Sequence, residues 1–304
     1  MSTTTASAHA QPARAHRSTL TFTGVLRSEL IKFRSLMSTR LLVLFTLVAV
    51  VGVGALAAWL RGQVIHEFML HGAGSGPRGG GGSGAAMTQS QAESAAAALG
   101  LNLYGIPAAG LQIGILVLGA LAVLLIAGEF STGMIRSSMA AVPKRLPVFW
   151  AKAIVLVVVS YVVTLVASLL TFLVSIPILH SYGITMNFGI DGVVSGIFMG
   201  GLYVAGVSLI GLSLGTLLRN NAGAIITLVA LFFVVPFATQ FLSAVPGDFW
   251  KYVGQYTPSI AGGRMLEIGD KAAFISPLAG GMIFLAWIVV LTVPAIVALK
   301  TRDV

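Results

Sequence analysis

Six long stretches of the chain contain no Asp, Glu, Lys or Arg. An α-helix needs about 20 apolar residues to cross ~30 Å of hydrocarbon, and a charged side chain placed there is costly. The pattern therefore predicts an all-α integral membrane fold with six transmembrane helices. The charge-free stretches are 41–60, 94–128, 153–190, 192–218, 220–247 and 272–299. From them we predict spans at 41–60, 105–127, 150–176, 193–217, 222–243 and 276–299.

The composition also indicates a membrane protein with little room for a soluble domain. Of the 304 residues, 57% are hydrophobic and 9% are charged, and the mean hydropathy is +0.96. Soluble globular domains contain far more charged residues. We expect a polar, disordered cytoplasmic tail at 1–21, followed by a single membrane domain at 22–304.

The distribution of Lys and Arg predicts the orientation in the membrane. If the N-terminus is cytoplasmic, the inner segments hold 13 of the 18 basic residues and the outer segments hold 5. Because cytoplasmic loops accumulate Lys and Arg, both termini are expected in the cytoplasm of a multi-pass plasma-membrane protein. The net charge of +9 then follows from topology, so we expect no nucleic-acid partner.

The segment before the first span, 22–38, has the pattern of an amphipathic helix lying at the membrane surface. Arg27 and Arg34 flank one edge of its apolar face and Lys32 the other, while Glu29 intrudes on that face. The alternative is a charged flank that only orients the first span. At 100° per residue the apolar face comprises Phe22, Val25, Leu26, Leu30, Phe33, Leu36 and Met37.

The segment between the second and third spans, 128–147, is too long and too patterned for a minimal turn. Glu129 stands where the apolar run ends, and mixed apolar and hydroxyl residues follow it. Pro143 then precedes Lys144 and Arg145, and these residues predict the end of the patterned segment. We predict a short helix exposed to the cytoplasm and able to dock on a partner.

Two longer segments are predicted outside the cell. Residues 61–104 contain a glycine-rich run with the composition of a flexible linker. Residues 244–275 carry aromatic residues suited to the membrane boundary and are expected to form short helices. Simple anchoring at the interface is the alternative for this second segment.

The residues offer little support for catalysis. Cysteine is absent, and the motifs of serine hydrolases and zinc peptidases are missing. We expect no metal site and no enzymatic activity on this chain. Because no acidic residue lies in the core of a predicted span, proton-coupled transport is disfavoured. We therefore expect a membrane domain that obtains its energy from another protein.

The chain resembles the membrane subunit, or permease, of type-2 ABC exporters, the ABC-2 family, particularly its actinobacterial members. The most specific piece is the run Gly128-Glu129-Phe130-Ser131-Thr132-Gly133-Met134-Ile135-Arg136. Further pieces are Ser28–Ser35 with Ser38-Thr39-Arg40, Pro143-Lys144-Arg145 before Ala151-Lys152, and Pro246, Trp250, Tyr256-Thr257-Pro258 and Gly262 before the last span. The glycine-rich outer loop departs from the compact loop usual in that family.

The resemblance implies a role for each of these segments. Residues 22–38 would be a connector helix, with Arg27, Glu29, Lys32, Phe33, Arg34 and Arg40 as its residues of interest. Residues 129–139 would be the coupling helix, which contacts an ATP-binding subunit through Glu129, Phe130, Ser131, Thr132, Gly133, Met134, Ile135 and Arg136. Trp250, Tyr256 and Pro258 would belong to an outer cap. ATP and Mg²⁺ would bind the partner ATPase, and two permeases, identical or sister chains, would face one another within the lipid.

Three functions are compatible with these observations. The first is an exporter permease without cofactors of its own, moving an amphipathic or hydrophobic substrate such as a drug, peptide or lipid. The second is a non-transporting membrane scaffold, such as an immunity or regulatory partner of an ATPase. The third, an enzyme acting on lipid, is disfavoured by the missing catalytic residues.

Overall fold

The computed structural model describes residues 21–68, 89–99, 101, 103–135, 145–190, 192–242, 248–266 and 275–301. These residues form helices and connecting turns, and no strand occurs among them. The helices are α1 Phe22–Ser35, α2 Met37–Glu67, α3 Gln89–Ala98, α4 Leu111–Ser131, α5 Arg145–His180, α6 Val193–Leu218, α7 Asn221–Val229, α8 Val235–Leu242, α9 Asp248–Val253, α10 Pro258–Arg264 and α11 Pro277–Thr301. Short 3₁₀ turns lie at Leu103–Ala108 and Gly254–Tyr256, and a π turn lies at Ala230–Val234.

Six helical segments are long and apolar enough to cross a membrane. They follow the predicted order, so the prediction of an all-helical chain with six membrane-length apolar helices is confirmed. α7, the π turn and α8 together make the fifth. The six segments are Met37–Glu67, Gly105–Ser131, Leu146–His180, Val193–Leu218, Asn221–Leu242 and Pro277–Thr301.

Several helix ends differ from the predicted ones. α2 continues to Glu67, past the predicted end at Leu60, because a charged residue such as Arg61 does not interrupt helical hydrogen bonding. α4 likewise continues to Ser131, so the first residues of the predicted cytoplasmic segment 128–147 belong to the second span. This helix ends where Gly133 adopts a φ of 73°, the left-handed conformation that commonly terminates helices.

The segment 22–38 is also divided. α1 ends at Ser35, and Leu36 is extended, with φ −74° and ψ 116°. Met37 and Ser38 then begin α2. The chain therefore turns between α1 and the first span, instead of continuing as one helix to residue 38.

α4 and α6 lie at the centre of the bundle and pack tightly against each other. In the second and fourth spans, 61% of an 18-residue apolar stretch is buried, against 22% in the first and fifth spans. Gly211 of α6 makes this approach possible, since an added Cβ would lie 2.5 Å from the carbonyl oxygen of Gly119 in α4. A Cβ added at Gly215 would likewise lie 2.6 Å from Cγ2 of Ile126 in α4. The spacing Gly211/Gly215 thus serves close helix packing, as small residues do in membranes.

One face of α5 carries a row of buried hydroxyl groups. Ser160 Oγ lies 2.8 Å from Ser208 Oγ of α6, which links the two helices. Thr171 Oγ1 donates to the carbonyl of Ala167 within its own helix, at 2.8 Å. Small polar side chains of this kind allow helices to approach closely in lipid. The buried hydroxyl residues of α5 are Ser160, Thr164, Ser168, Thr171 and Ser175.

Three of the apolar spans contain a proline within an α-helix and continue past it. The π turn Ala230–Val234 ends two residues before Pro236, which has no N–H to donate to the preceding turn. Pro177 and Pro294 lie inside α5 and α11, and both helices continue past them. The wider π turn is a recognised way to absorb such an interruption within a helix.

Candidate functional site

Four charged side chains from three helices meet at one end of the bundle. Glu29 and Lys32 come from α1, Glu129 from the end of α4, and Lys152 from the start of α5. Lys152 Nζ donates to Glu29 Oε2 at 2.6 Å and to Glu129 Oε1 at 2.7 Å. Lys32 Nζ donates to Glu29 Oε1 and to Glu129 Oε1, each at 3.3 Å. We call these four residues the charge cluster.

Helical spacing explains how α1 contributes two members of the charge cluster. Thr21 Oγ1 accepts from the Gly24 backbone N–H and starts the helix. Val25, Glu29 and Phe33 are then four residues apart, and all three are buried. Val25 packs beside Val148 and Ala151 of α5, which brings Glu29 over Lys152. Glu29 therefore belongs to the packing face of α1, and its apparent intrusion on the apolar face has a structural cause.

The charge cluster is electrically balanced and largely removed from solvent. The Lys152 side chain is 4% exposed, Glu29 8%, Glu129 11% and Lys32 34%. Two ammonium groups neutralise two carboxylates, so neither sign is left in excess. Burying unpaired charges would cost several kcal/mol each, so the four groups depend on one another.

Lys32 differs from Lys152 in position and in bond length. Burial disfavours the charged form of the Lys32 amine, but the Glu129 and Glu29 carboxylates outweigh that effect and raise the pKa of Lys32 above its ordinary value. Its bonds to Glu29 and Glu129, each at 3.3 Å, are longer than the usual ammonium–carboxylate distance. Lys32 thus closes the charge cluster from its rim, whereas Lys152 lies at its centre.

The predicted coupling residues divide into two environments. Glu129 faces the charge cluster, and the ring of Phe130 lies 4.9 Å from the guanidinium carbon of Arg219, in the turn after α6. A guanidinium above an aromatic ring is attracted by its π electrons. Glu129 and Phe130 are therefore engaged inside the bundle, and neither belongs to a separate exposed helix.

The remaining coupling residues follow the end of α4. Ser131, Thr132 and Gly133 are exposed, Met134 is 51% exposed, and Ile135 is buried. Arg136 and the rest of the predicted coupling helix lie outside the described residues. Within the described part, Met134 is the large apolar side chain of this segment that is accessible to a partner.

The other predicted residues of α1 lie at its surface. Arg27, Arg34 and Arg40 are exposed, and Arg40 Nε donates to the carbonyl of Arg34 at 2.6 Å across the turn at Leu36. Of the predicted apolar face, Val25 and Phe33 are buried. Phe22, Leu30, Leu36 and Met37 remain exposed.

The predicted outer cap contains short helices, as expected from the sequence. Tyr256 ends the 3₁₀ turn before α10, and its carbonyl accepts a 2.9 Å hydrogen bond from Trp287 Nε1 of α11. Pro258 is buried at the first turn of α10. Tyr203 of α6 donates its hydroxyl to the carbonyl of Ser259 at 3.1 Å. The side chain of Trp250 lies outside the described residues.

The sequence patterns do not predict the role of Lys152. Its positive charge contributes to the predicted orientation, and the residue belongs both to the resemblance and to the predicted third span, 150–176. An ionisable residue inside a span calls for a partner of opposite sign. Glu129, at the end of the preceding span, was the nearest acidic residue along the chain.

A cavity of about 380 Å³ adjoins the charge cluster between α1, α4 and α5. Its lining combines Glu29, Lys32, Glu129 and Lys152 with mainly apolar side chains. Glu129 Oε2 is buried and has no hydrogen-bond partner among the described residues. The site thus combines charged groups with an apolar surface.

No protein-family model matches this chain, and no curated protein matches it either.

Proposed function

We propose that the chain is the permease subunit of an ATP-driven exporter of the ABC-2 type. The observation that most supports this proposal is the charge cluster, which joins α1 to the ends of the second and third spans. A permease that receives force from an ATPase needs a stiff connection between its docking segment and its spans. The short bonds of Lys152 to Glu29 and Glu129 supply such a connection.

In this proposal the docking segment begins at Thr132. Motion imposed by an ATPase on residues 132–139 passes directly to α4 and, through Glu129 and Lys152, to α1 and α5. Ion pairs with little solvent access resist separation, since each charge would be left uncompensated. The helices then move as one unit, and ATP biases which of two permease conformations is populated.

The proposed assembly contains two permeases and two ATP-binding subunits in the plasma membrane. ATP and Mg²⁺ bind the ATPase, and this chain holds neither. Both termini and the charge cluster face the cytoplasm, consistent with the excess of Lys and Arg on that side. The cargo is an amphipathic or hydrophobic compound that reaches the permease from the cell.

Co-expression with candidate ABC ATP-binding subunits tests this function. A stoichiometric complex that hydrolyses ATP in lipid, faster when cargo is added, is the expected result. A stable complex with no cargo-dependent hydrolysis would favour the scaffold or regulatory function. The absence of a complex with any candidate ATPase would overturn the proposal.

Met134 offers a sharper test of the docking segment than Glu129, because Glu129 is buried. Met134→Asp places a charge on an exposed apolar position and should reduce complex formation, whereas Met134→Leu keeps the apolar surface and should retain it. Arg136→Glu tests complex formation at a later position of the same predicted docking segment. Unchanged complexes with both Met134→Asp and Arg136→Glu would contradict the docking assignment.

A further inference from the structure

Another cavity lies at the bend between α1 and α2, and its lining joins two arginines to apolar side chains. Its volume is about 310 Å³, at the lower end of the usual range of ligand sites, ~300–1,000 Å³. Arg34 comes from the last turn of α1, and Arg40 comes from the first turn of α2. We call this space the corner cavity. Its lining is Phe33, Arg34, Arg40, Val43, Leu44 and Leu47.

Helical spacing explains the part of the corner cavity that α2 supplies. Counted from Arg40, the positions i+3, i+4 and i+7 share one face of a helix, and they hold Val43, Leu44 and Leu47. At 1.5 Å per residue, this stripe extends about 10 Å from Arg40. Arg40 is also the last charged residue before the charge-free stretch 41–60. The stripe therefore begins where headgroups meet hydrocarbon, and Leu44, which is 58% exposed, opens the cavity toward the acyl chains.

The two arginines carry positive charge that the described carboxylates leave uncompensated. Arg40 Nε donates to the carbonyl oxygen of Arg34 at 2.6 Å, which holds the guanidinium at the bend. The terminal nitrogens of Arg40 and the guanidinium of Arg34 make no hydrogen bond or ion pair within the part of the chain that the structure describes. Glu29 and Glu129, the described acidic residues at this end of the bundle, are paired in the charge cluster. The corner cavity thus favours an anion.

We propose that the corner cavity binds an anionic phospholipid. The headgroup phosphate accepts hydrogen bonds from Arg34 and Arg40, because the planar donors of a guanidinium match the geometry of phosphate oxygens. One acyl chain lies along Val43, Leu44 and Leu47. A lipid fits better than a soluble anion, because the apolar stripe adds affinity only for a ligand with a hydrocarbon chain. The inference concerns the chain without an ATPase or cargo, so it does not rest on the proposed function.

Equilibrium binding of radiolabelled dioleoyl phosphatidylglycerol to the purified full chain tests the site. The chain is immobilised in dodecyl maltoside micelles that contain excess phosphatidylcholine, and resin without protein gives the background. We expect saturable binding that unlabelled phosphatidylglycerol displaces and additional phosphatidylcholine does not. Binding that is not saturable, or that phosphatidylcholine displaces equally well, overturns the proposal.

Two arginine variants separate the corner cavity from a general attraction to positive charge. Arg34→Gln should weaken phosphatidylglycerol binding about tenfold, as expected for lost charge-assisted hydrogen bonds. It keeps the main-chain carbonyl that accepts from Arg40, so the bend is retained. Arg27→Gln is the matched control, because it removes the same charge from the exposed surface of α1 outside the cavity.

These variants are compared at about 0.5 M salt, which screens charges that do not touch the ligand. Arg27→Gln should then weaken binding by less than about threefold. Equal losses in Arg34→Gln and Arg27→Gln would mean that the lipid is attracted by the whole basic surface, and would overturn the assigned site.

Two tryptophan variants test the apolar half of the corner cavity. Leu44 and Val48 are one helical turn apart and are 58% and 61% exposed, so both substitutions should fold. Leu44 lines the cavity, and Val48 does not. Leu44→Trp should fill part of the cavity and weaken binding about tenfold, as the loss of contact with two methylene groups would. Val48→Trp should leave binding unchanged, and equal binding in the two variants would contradict the assigned location.

A soluble competitor distinguishes a phospholipid from a free phosphate ester. Glycerol 3-phosphate carries a phosphate without acyl chains. It should leave phosphatidylglycerol binding unchanged at concentrations where unlabelled phosphatidylglycerol displaces it. Displacement by glycerol 3-phosphate at equal concentration would assign the two arginines to a soluble anion and overturn the phospholipid site.

Discussion

Replacing Lys152 with Met should strongly destabilise the protein, because it removes the centre of the charge cluster. Lys152 Nζ forms two buried ion pairs, with Glu29 at 2.6 Å and Glu129 at 2.7 Å. The substitution nearly preserves side-chain length but leaves two carboxylates with Lys32 as their remaining cation in the charge cluster. Removing one partner from a buried ion pair costs about 3–5 kcal/mol. Since Lys32 compensates in part, we expect a loss of about 3 kcal/mol.

The assay is the free energy of unfolding, measured by titrating dodecyl sulfate into mixed micelles and following helical circular dichroism. The double variant Glu29→Gln/Lys152→Met retains one carboxylate and one ammonium. It should therefore be less destabilised than the sum of its two single variants, by at least about 1.5 kcal/mol, as expected for coupled groups. Arg27→Met, on the exposed face of α1, is the control and should change stability by less than about 0.5 kcal/mol.

Two results would refute this reasoning. A loss below about 1 kcal/mol in Lys152→Met would mean that the ion pairs contribute little, as exposed pairs do. Strict additivity in the double variant would mean that Glu29 and Lys152 act independently.

Further predictions concern packing and topology. Gly211→Ala should destabilise the protein by about 1–3 kcal/mol in the same titration, because its Cβ would meet the Gly119 carbonyl oxygen at 2.5 Å. Gly128→Ala, in open space, should be neutral or slightly stabilising, and equal losses in both would contradict the close packing of α4 and α6. Because the chain contains no cysteine, single cysteines report topology directly. In sealed right-side-out vesicles, a membrane-impermeant maleimide should label Tyr256→Cys. It should label Met134→Cys only after the vesicles are opened. Labelling of both variants in sealed vesicles would refute the proposed orientation.

Much of the fold could be predicted from the sequence because membrane spans are determined locally. Each span satisfies its backbone hydrogen bonds within itself, so length and apolar composition suffice to locate it. The fourth span shows this well, with 193–217 predicted and Val193–Leu218 observed. The helix end at Leu60 was predicted less well, because the charge-free stretch indicates the part of the chain suited to hydrocarbon and not the full length of the helix. The helix itself continues to Glu67.

The candidate site could be predicted only in part, for a physical reason. The sequence singles out two of the four residues. Glu29 interrupts the apolar face of the segment 22–38, and Glu129 stands at the end of an apolar run. For Lys152, the sequence indicates a positive charge that contributes to the orientation in the membrane. A pairing between residues 29 and 152 depends on how α1 folds back onto α5. No local pattern encodes that contact.

The sequence by itself determined that the chain is all-helical with six membrane-length apolar segments, because the hydrophobic effect and backbone hydrogen bonding act within each segment. Tertiary structure alone decided which polar groups inside the bundle neutralise one another. Burial makes an unpaired charge costly, so Glu29, Lys32, Glu129 and Lys152 are compatible with the interior only when three helices bring them together. That same convergence of α1, α4 and α5 creates the adjoining cavity.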